Sequence, residues 1–191
     1  MKQRSSRTSI ILIDGSNLHA ACQALGFSVD YKKLLESFEG TIHRAYYFTA
    51  LPPATEQSTL RPMVDYLEFN GFTVIQKVWK EFVDKDGKSR TKGNMDIEIA
   101  VHAYEQARYV DDTFLFSGDG DFRCLVESLQ RNYGHKVTVI STIQSSPALC
   151  ADALRRQADT FLDLADMREA IERTEDQRSV RRRNFINNVE G

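Results

Sequence analysis

Residues 9–13, with the sequence SIILI, form an uninterrupted apolar run that ends directly in DGSN. Continuous apolarity over so short a stretch is typical of a strand buried on both faces, as in a parallel sheet. A helical pattern follows at 16–25, which is how a strand-and-helix unit of such a sheet begins. The run therefore restricts the chain to folds with a buried strand close to the N-terminus.

The same alternation of strands and helices continues along the chain. Further strands are predicted at 42–50, 72–78, 113–117 and 136–141, with a short strand or extended piece at 160–164. Helices are predicted after Asp30, at 55–70, 95–108, 121–132 and 147–157, and again from Asp166 onward. This order predicts an α/β protein with a three-layer Rossmann-like fold, whose central, mainly parallel sheet of about five strands is flanked by helices.

The composition is that of an ordinary globular domain. Of 191 residues, 41% are hydrophobic and 27% are charged, and the formal net charge is −2. A nucleic-acid-binding protein with this net charge needs its basic residues gathered locally. Cys22, Cys124 and Cys150 lie far apart without metal-like spacing, and no apolar stretch approaches the length of a membrane span, so we expect a cytoplasmic protein with reduced thiols and no membrane partner.

Acidic residues fall at the ends of two predicted strands. Asp14 follows the first strand, and Asp119 and Asp121 follow strand 113–117 in FLFSGDGDF. These two strands are commonly neighbours in a doubly wound sheet, so we expect the three carboxylates to converge. Asp96 opens helix 95–108 at the start of its apolar stripe, so it should point towards the sheet.

Such a cluster predicts a metal site. Burying unpaired charge is costly, and a bound cation removes that cost. Mg²⁺ and Mn²⁺ prefer oxygen ligands, often from only a few carboxylates and water. We expect Asp14 and Asp119 to bind the metal directly, and Asp96 and Asp121 to bind through water, complete a second metal site or orient the nucleophile.

Each of these residues also has an ordinary explanation. Asp14 is a plausible helix cap, Asp119 or Asp121 is a plausible cap of helix 121–132, and Asp96 is an acid in a first helical turn. Their joint occurrence at strand ends, beside glycines, is what favours a metal site over independent caps. Asn17 and Ser117 are expected to orient a carboxylate or a phosphate, with a local turn role as the alternative.

The segment WKEFVDKDGKSRTKGN at 79–94 is predicted to be an extended hairpin or mobile loop. Its basic residues Lys88, Arg90 and Lys92 are expected to contact the phosphates of RNA, although lysines on a turn are usually just solvated. Tyr46, Tyr47 and Trp79 are candidates for stacking on bases, and the two tyrosines are equally candidates for the core.

Three motifs in order, IILIDGSNLH, KGNMDIEIA and FLFSGDGDF, resemble the NYN domain and in particular its LabA-like branch, which is related to PIN-domain nucleases. The resemblance covers residues 10–141. It implies a PIN-like Rossmann-like fold and a Mg²⁺- or Mn²⁺-dependent active site acting on RNA. The residues that match the acidic positions of the family are Asp14, Asp96, Asp119 and Asp121, and those that match its polar positions are Asn17 and Ser117.

The sequence departs from the family pattern in one helix. Related sequences often carry a further acid within the helix that begins at the third acid. Here the nearby residues are Glu98 and His102, both expected on the other side of the helix from Asp96, with His102 as a solvated residue. This departure predicts a weak second metal or slow catalysis.

The sequence thus predicts a metal-dependent ribonuclease that hydrolyses phosphodiester bonds, with single-stranded RNA as partner. A non-catalytic nucleic-acid-binding or regulatory module is the main alternative. A metal-dependent phosphatase is a second, disfavoured because Ser16 stands where such enzymes often place an acid. We expect a flexible N-terminus at 1–8, the catalytic domain at 9–165, and a C-terminal helix with a basic, disordered tail at 166–191; a homodimer is left open.

Overall fold

The computed structural model describes residues 7–38, 40–52, 61–83 and 89–174, with only the backbone described at 80–83 and 89–92. The predicted N-terminal and C-terminal tails lie largely outside these residues. The elements are β1 (Thr8–Asp14), α1 (Gly15–Leu25), α2 (Tyr31–Glu36), β2 (Thr41–Leu51), α3 (Arg61–Phe69), β3 (Phe72–Val78), β4 (Lys80–Val83), β5 (Ser89–Lys92), α4 (Asp96–Gln106), β6 (Asp112–Phe116), a 3₁₀ turn (Gly120–Phe122), α5 (Arg123–Tyr133), β7 (Lys136–Ser141), α6 (Asp152–Gln157), β8 (Thr160–Asp163) and α7 (Arg168–Ile171).

Six of these strands form one sheet in the order β3-β2-β1-β6-β7-β8. Every pairing in this sheet is parallel. The predicted fold class is confirmed. The short piece at 160–164 is the sixth strand, because Thr160 to Asp163 pair in register with Thr138 to Ser141 of β7.

Strand β1 lies at the centre of the sheet, between β2 and β6. Its apolar run is fully buried, as an unbroken hydrophobic sequence predicts for a strand covered on both faces. Ile10 and Leu12 belong to the core on one face, and Ile11 and Ile13 belong to the core on the other. The predicted neighbourhood of β1 and β6 is confirmed, so the loops after both strands lie at the same edge of the sheet.

Helices cover both faces of the sheet and give the three layers. On one face α4, α5 and α6 bury Ile99, Leu129 and Leu154. On the other face α1, α2, α3 and α7 bury a second set of apolar residues, which includes Leu18, Leu34, Leu67 and Ile171. Among the described residues, no helix is long and apolar enough to cross a membrane.

The predicted helix 147–157 is wrong in its first half, since α6 begins only at Asp152. The amides of this stretch bond elsewhere: Leu149 N donates to Thr142 O at 3.0 Å, and Ala151 N donates to Gly118 O at 2.9 Å. The segment therefore packs as a loop against the residues that follow β6 and β7.

The predicted hairpin is present as the antiparallel pair β4 and β5, which forms a sheet of its own. Residues 84–88, including Lys88, lie outside the described residues, as do residues 55–60 of the predicted helix 55–70. The boundary of the domain at 165 stays a prediction; Met167 and Ile171 pack into the core beyond it.

Candidate metal centre

Three of the four predicted aspartates meet at the carboxyl edge of the sheet, where the parallel strands end. Carboxylate oxygens of Asp96, Asp119 and Asp121 lie within 4.8 Å of one another. Asp96 is the first residue of α4, Asp121 lies in the 3₁₀ turn that follows β6, and Asp119 is the N-cap of that turn. The sheet therefore brings together carboxylates that are more than twenty residues apart in the chain. We call these three residues the acidic cluster.

Asp14 follows β1 at the same edge, but its carboxylate is held by the start of α1. It is 5% exposed. Its Oδ1 accepts hydrogen bonds from Ser16 N (3.0 Å), Ser16 Oγ (2.7 Å) and Asn17 N (3.2 Å), and its Oδ2 accepts one from Asn17 Nδ2 (2.6 Å). Asp14 is thus the N-cap of α1, as the ordinary explanation of this residue anticipated.

Asn17 connects the two strand ends. While its Nδ2 donates to Asp14, its Oδ1 accepts from Gly118 N at 3.3 Å. One amide side chain thereby joins the start of α1 to the loop that carries Asp119. Both halves of the amide bond to residues beside the candidate site, and its supporting role stays a prediction.

Ser117 and Gly118 shape the loop that carries Asp119. Ser117 is buried, and its Oγ accepts from Asp119 N at 3.2 Å. Asp119 Oδ1 accepts in turn from Asp121 N at 2.9 Å, which caps the 3₁₀ turn. A Cβ on Gly118 would lie 1.7 Å from Leu149 O, so only glycine fits against the loop that precedes α6.

Asn94 is a residue of the candidate site that sequence reasoning missed. Its Oδ1 accepts from Asp96 N at 2.7 Å, and its Nδ2 donates to Asp96 Oδ2. Asn94 therefore both starts α4 and fixes the orientation of the Asp96 carboxylate. The signal was an asparagine two residues before a predicted first-turn acid, a spacing suited to bonding the helix amides that have no partner.

The acidic cluster fits a hard divalent cation. Burial raises the pKa of Asp96; the bond from Asn94 opposes this, and the charges of Asp119, Asp14 and Asp121 add to the rise. Across the described side chains, no lysine or arginine forms an ion pair with the cluster. Converging carboxylate oxygens without a counter-charge are the ligand set that Mg²⁺ and Mn²⁺ prefer.

The two helix residues that depart from the family pattern are engaged elsewhere. Lys77 Nζ donates to both carboxylate oxygens of Glu98 at 2.9 Å, which ties β3 to α4. His102 was predicted to be solvated, and this is wrong: it is half-buried, with its ring centroid 5.4 Å from those of Tyr46 and Phe48. The reason is that β2 presents aromatic rings to this face of α4.

The predicted RNA-contacting residues are only partly described. Arg90 and Lys92 lie on β5, paired in register with Phe82 and Lys80, and nothing is described of their side chains. Tyr46 and Tyr47 are buried core residues, so the core alternative holds for both. Trp79 is half-buried, and its indole Nε1 has no hydrogen-bond partner among the described residues.

We expect Asp96→Asn to stabilise the metal-free protein at pH 7 by about 0.5 kcal/mol, a rise in Tm of about 1–2 °C. A carboxyl whose pKa is raised by folding opposes folding when ionised, and this penalty disappears as the pH falls through the folded pKa towards 3.8. Thermal unfolding in chelator, between pH 7 and pH 4, measures the difference.

Glu98→Gln is the matched control on the same helix. Burial acts to raise the pKa of Glu98, but its bonds with Lys77 lower it overall. Its ionised form therefore stabilises the fold at pH 7, and this contribution is lost as the pH falls through the folded pKa. We expect the variant to lose about 0.5 kcal/mol, because the pair is a third exposed. If Asp96→Asn destabilises the metal-free protein as Glu98→Gln does, the negative charge of the acidic cluster is not uncompensated and the explanation is wrong.

Comparisons with known proteins give the family and agree with the fold. The NYN domain model matches residues 8–185, and the chain belongs to the NYN domain family. It is 36% identical over 181 residues to the low amplitude and bright protein LabA of Synechococcus elongatus, covering 92% of each chain. A crystal structure of a protein of unknown function from Vibrio parahaemolyticus has the same fold, with a TM-score of 0.69 and 29% identity over 86% of this chain and 96% of the other.

Proposed function

We propose that this protein is a Mg²⁺- or Mn²⁺-dependent ribonuclease that hydrolyses phosphodiester bonds of single-stranded RNA. The single observation that carries the proposal is the acidic cluster, whose three carboxylates converge at the carboxyl edge of an NYN-family sheet. Ligand sites of open parallel sheets lie at this edge, beside the switch in strand order. The relation of the family to PIN-domain nucleases supports RNA as the substrate.

In this proposal Asp96, Asp119 and Asp121 hold the cation. A bound divalent cation supplies Lewis-acid polarisation of a phosphate oxygen and a water of lowered pKa. Asn94 fixes the Asp96 carboxylate, and Ser117 positions Asp119 through its amide. Asp121, the exposed member of the cluster, orients the attacking water from the solvent side.

Asp14 has a different part in the proposal. Both of its oxygens accept bonds from Ser16 and Asn17, and Asn17 in turn bonds to Gly118 N. We therefore assign it mainly the positioning of the loop that carries Asp119, where the sequence suggested a direct metal ligand. Its charge still acts on Asp96, so it adds to the negative potential that attracts a cation.

The test is cleavage of 5′-labelled single-stranded RNA in Mn²⁺ or Mg²⁺ by the wild type and by Asp96→Asn/Asp119→Asn. We expect the double variant to lose at least about a hundredfold in rate, because two carboxylates of the cation site are neutralised. Glu169→Gln, an exposed acid on α7, is the matched control and should cleave as the wild type does.

Equal rates for the wild type and the double variant would place the activity outside the cluster and reject the proposal. A lack of cleavage by both, over several RNAs and both metals, would favour the non-catalytic binding module. That alternative draws on one observation: Glu98 and His102 are engaged by Lys77 and by aromatic rings, so neither adds a further ligand. A homodimer and a cytoplasmic location stay predictions.

A further inference from the structure

A group of exposed aromatic rings lies at the opposite end of the sheet from the acidic cluster. Tyr104, Tyr109 and Tyr133 are 37%, 67% and 36% exposed. They line an open cavity of about 540 Å³ that is completed by Glu105, Gln106 and Arg108. The cavity lies where α4 ends and β6 begins. We call these three tyrosines, together with His43, the aromatic surface.

His43 joins this group because of a bulge in β2. Ser9 pairs with Ile42 and Ile10 pairs with Arg44, so His43 is an extra residue without a partner on β1. A bulge re-aims the side chain it carries. The His43 ring lies 26° from parallel to that of Tyr109, with the centroids 6.4 Å apart. Tyr104 and Tyr133 form a second, edge-on pair with centroids 5.9 Å apart.

Two guanidinium groups lie at the aromatic surface. Arg108 lines the cavity, and Arg44 is exposed next to His43 in β2. The acids of the neighbouring loop are engaged: Arg7 pairs with Asp112, and Asp111 Oδ2 accepts from Thr8 N at 2.9 Å. Glu105 is the one carboxylate among the residues that line the cavity. Exposed rings interspersed with guanidinium groups are how proteins hold single-stranded nucleic acid.

The outer face of α4 connects the aromatic surface to the acidic cluster. Ile97, Val101 and Tyr104 follow one another at four-residue and three-residue steps, and all three are exposed. Ile97 is adjacent to Asp96, and Tyr104 belongs to the aromatic surface. The length of α4 separates the two ends by about 15 Å. An extended strand held at one end can therefore reach the other.

We propose that the aromatic surface is a second RNA-binding site, which holds single-stranded RNA outside the acidic cluster. Bases stack on the open faces of Tyr109 and Tyr133, and Arg108 contacts a phosphate. The inference rests on the proposed function for its class of partner. It adds an anchoring site that gives the enzyme a preference for strands long enough to span α4.

The test is the binding of a fluorescein-labelled oligouridine of about twelve nucleotides. Fluorescence anisotropy measures the affinity, and a chelator prevents cleavage. We expect Tyr109→Ala to weaken binding at least about fivefold, since loss of one base–aromatic stack costs that much. Tyr109→Phe keeps the ring and should keep the affinity. Tyr66→Ala removes an exposed tyrosine from α3 on the other face of the sheet, and should bind as the wild type does.

Arg108→Gln adds a second readout. Loss of one phosphate contact should lower the slope of log affinity against log salt by about 0.7 for a single strand. Arg61→Gln, an exposed arginine on α3, is its control and should leave the slope unchanged.

The outcomes separate this inference from the proposed nuclease. Binding that Tyr109→Ala and Arg108→Gln leave unchanged overturns the aromatic surface, even if the wild type cleaves RNA. Binding that depends on Tyr109, in a protein that cleaves no RNA, supports the aromatic surface and rejects the nuclease.

Discussion

Gly118→Ala is expected to lower the free energy of unfolding by about 3 kcal/mol or more. The added Cβ would lie 1.7 Å from Leu149 O and 2.6 Å from Ser141 Oγ. Leu149 O is backbone and also accepts a bond from Ser141 Oγ, so the loop has to move as a unit. The displacement also breaks the bond from Ala151 N to Gly118 O. Urea unfolding followed by circular dichroism measures the loss.

Gly120→Ala, two residues further along the same loop, is the matched control. Its Cβ would lie 3.2 Å from Ala151 Cβ, a contact that a small shift relieves. We expect it to cost less than about 1 kcal/mol. Equal stabilities of the two variants would show that the tight packing around Gly118 does not limit the fold.

Asp14→Ala is expected to cost about 2–4 kcal/mol of stability. The substitution removes a buried helix-capping carboxylate and leaves the exposed Ser16 and the half-buried Asn17 without their acceptor. Because Asn17 also bonds to Gly118 N, we expect the loop that carries Asp119 to loosen and RNA cleavage to fall with it. Urea unfolding and cleavage rates, measured on the same preparation, test both effects.

Asp30→Ala is the control for the loss of a buried helix-capping aspartate far from the acidic cluster in sequence. Asp30 is a buried N-cap on α2, where it accepts from Lys32 N at 3.0 Å and Lys33 N at 3.3 Å. It should lose about 1 kcal/mol and keep its activity, since α2 lies away from the cluster. One result would contradict the positioning role. Asp14→Ala would be as stable as Asp30→Ala, but it would have lost both RNA cleavage and the rise in Tm that Mn²⁺ causes. Asp14 would then be a metal ligand.

Local signals were enough to predict most of the sheet and to include the three acids of the cluster among the four candidates, of which Asp14 is held by the start of α1. The apolar run at 9–13 is continuous because β1 is covered on both faces. Five residues of sequence are therefore enough to predict that both faces are buried. Asp119 and Asp121 directly follow a predicted strand, and Asp96 begins a helix whose apolar stripe faces the sheet. In each case a short stretch of sequence is enough to predict where the side chain lies.

Features that depend on distant partners were not predictable in this way. The capping of Asp14 was foreseen, but its link through Asn17 to Gly118 requires knowing which backbone amide lies opposite. The helix expected at 147–151 is replaced by a loop because its amides find acceptors on Thr142 and Gly118. Likewise, the pattern of residues 42–50 contains no sign of the bulge that turns His43 towards Tyr109.

The contacts of Gly118 have a consequence for the order in which the molecule can be assembled. Its amide bonds to Asn17, 101 residues earlier, and its carbonyl accepts from Ala151 in a much later segment. Contacts of such long sequence separation form late in folding, because the intervening chain must first be ordered. A nascent polypeptide on the ribosome therefore lacks these two hydrogen bonds of Gly118 until Ala151 has emerged. The geometry around Asp119 forms only in the nearly complete domain and in none of its N-terminal fragments.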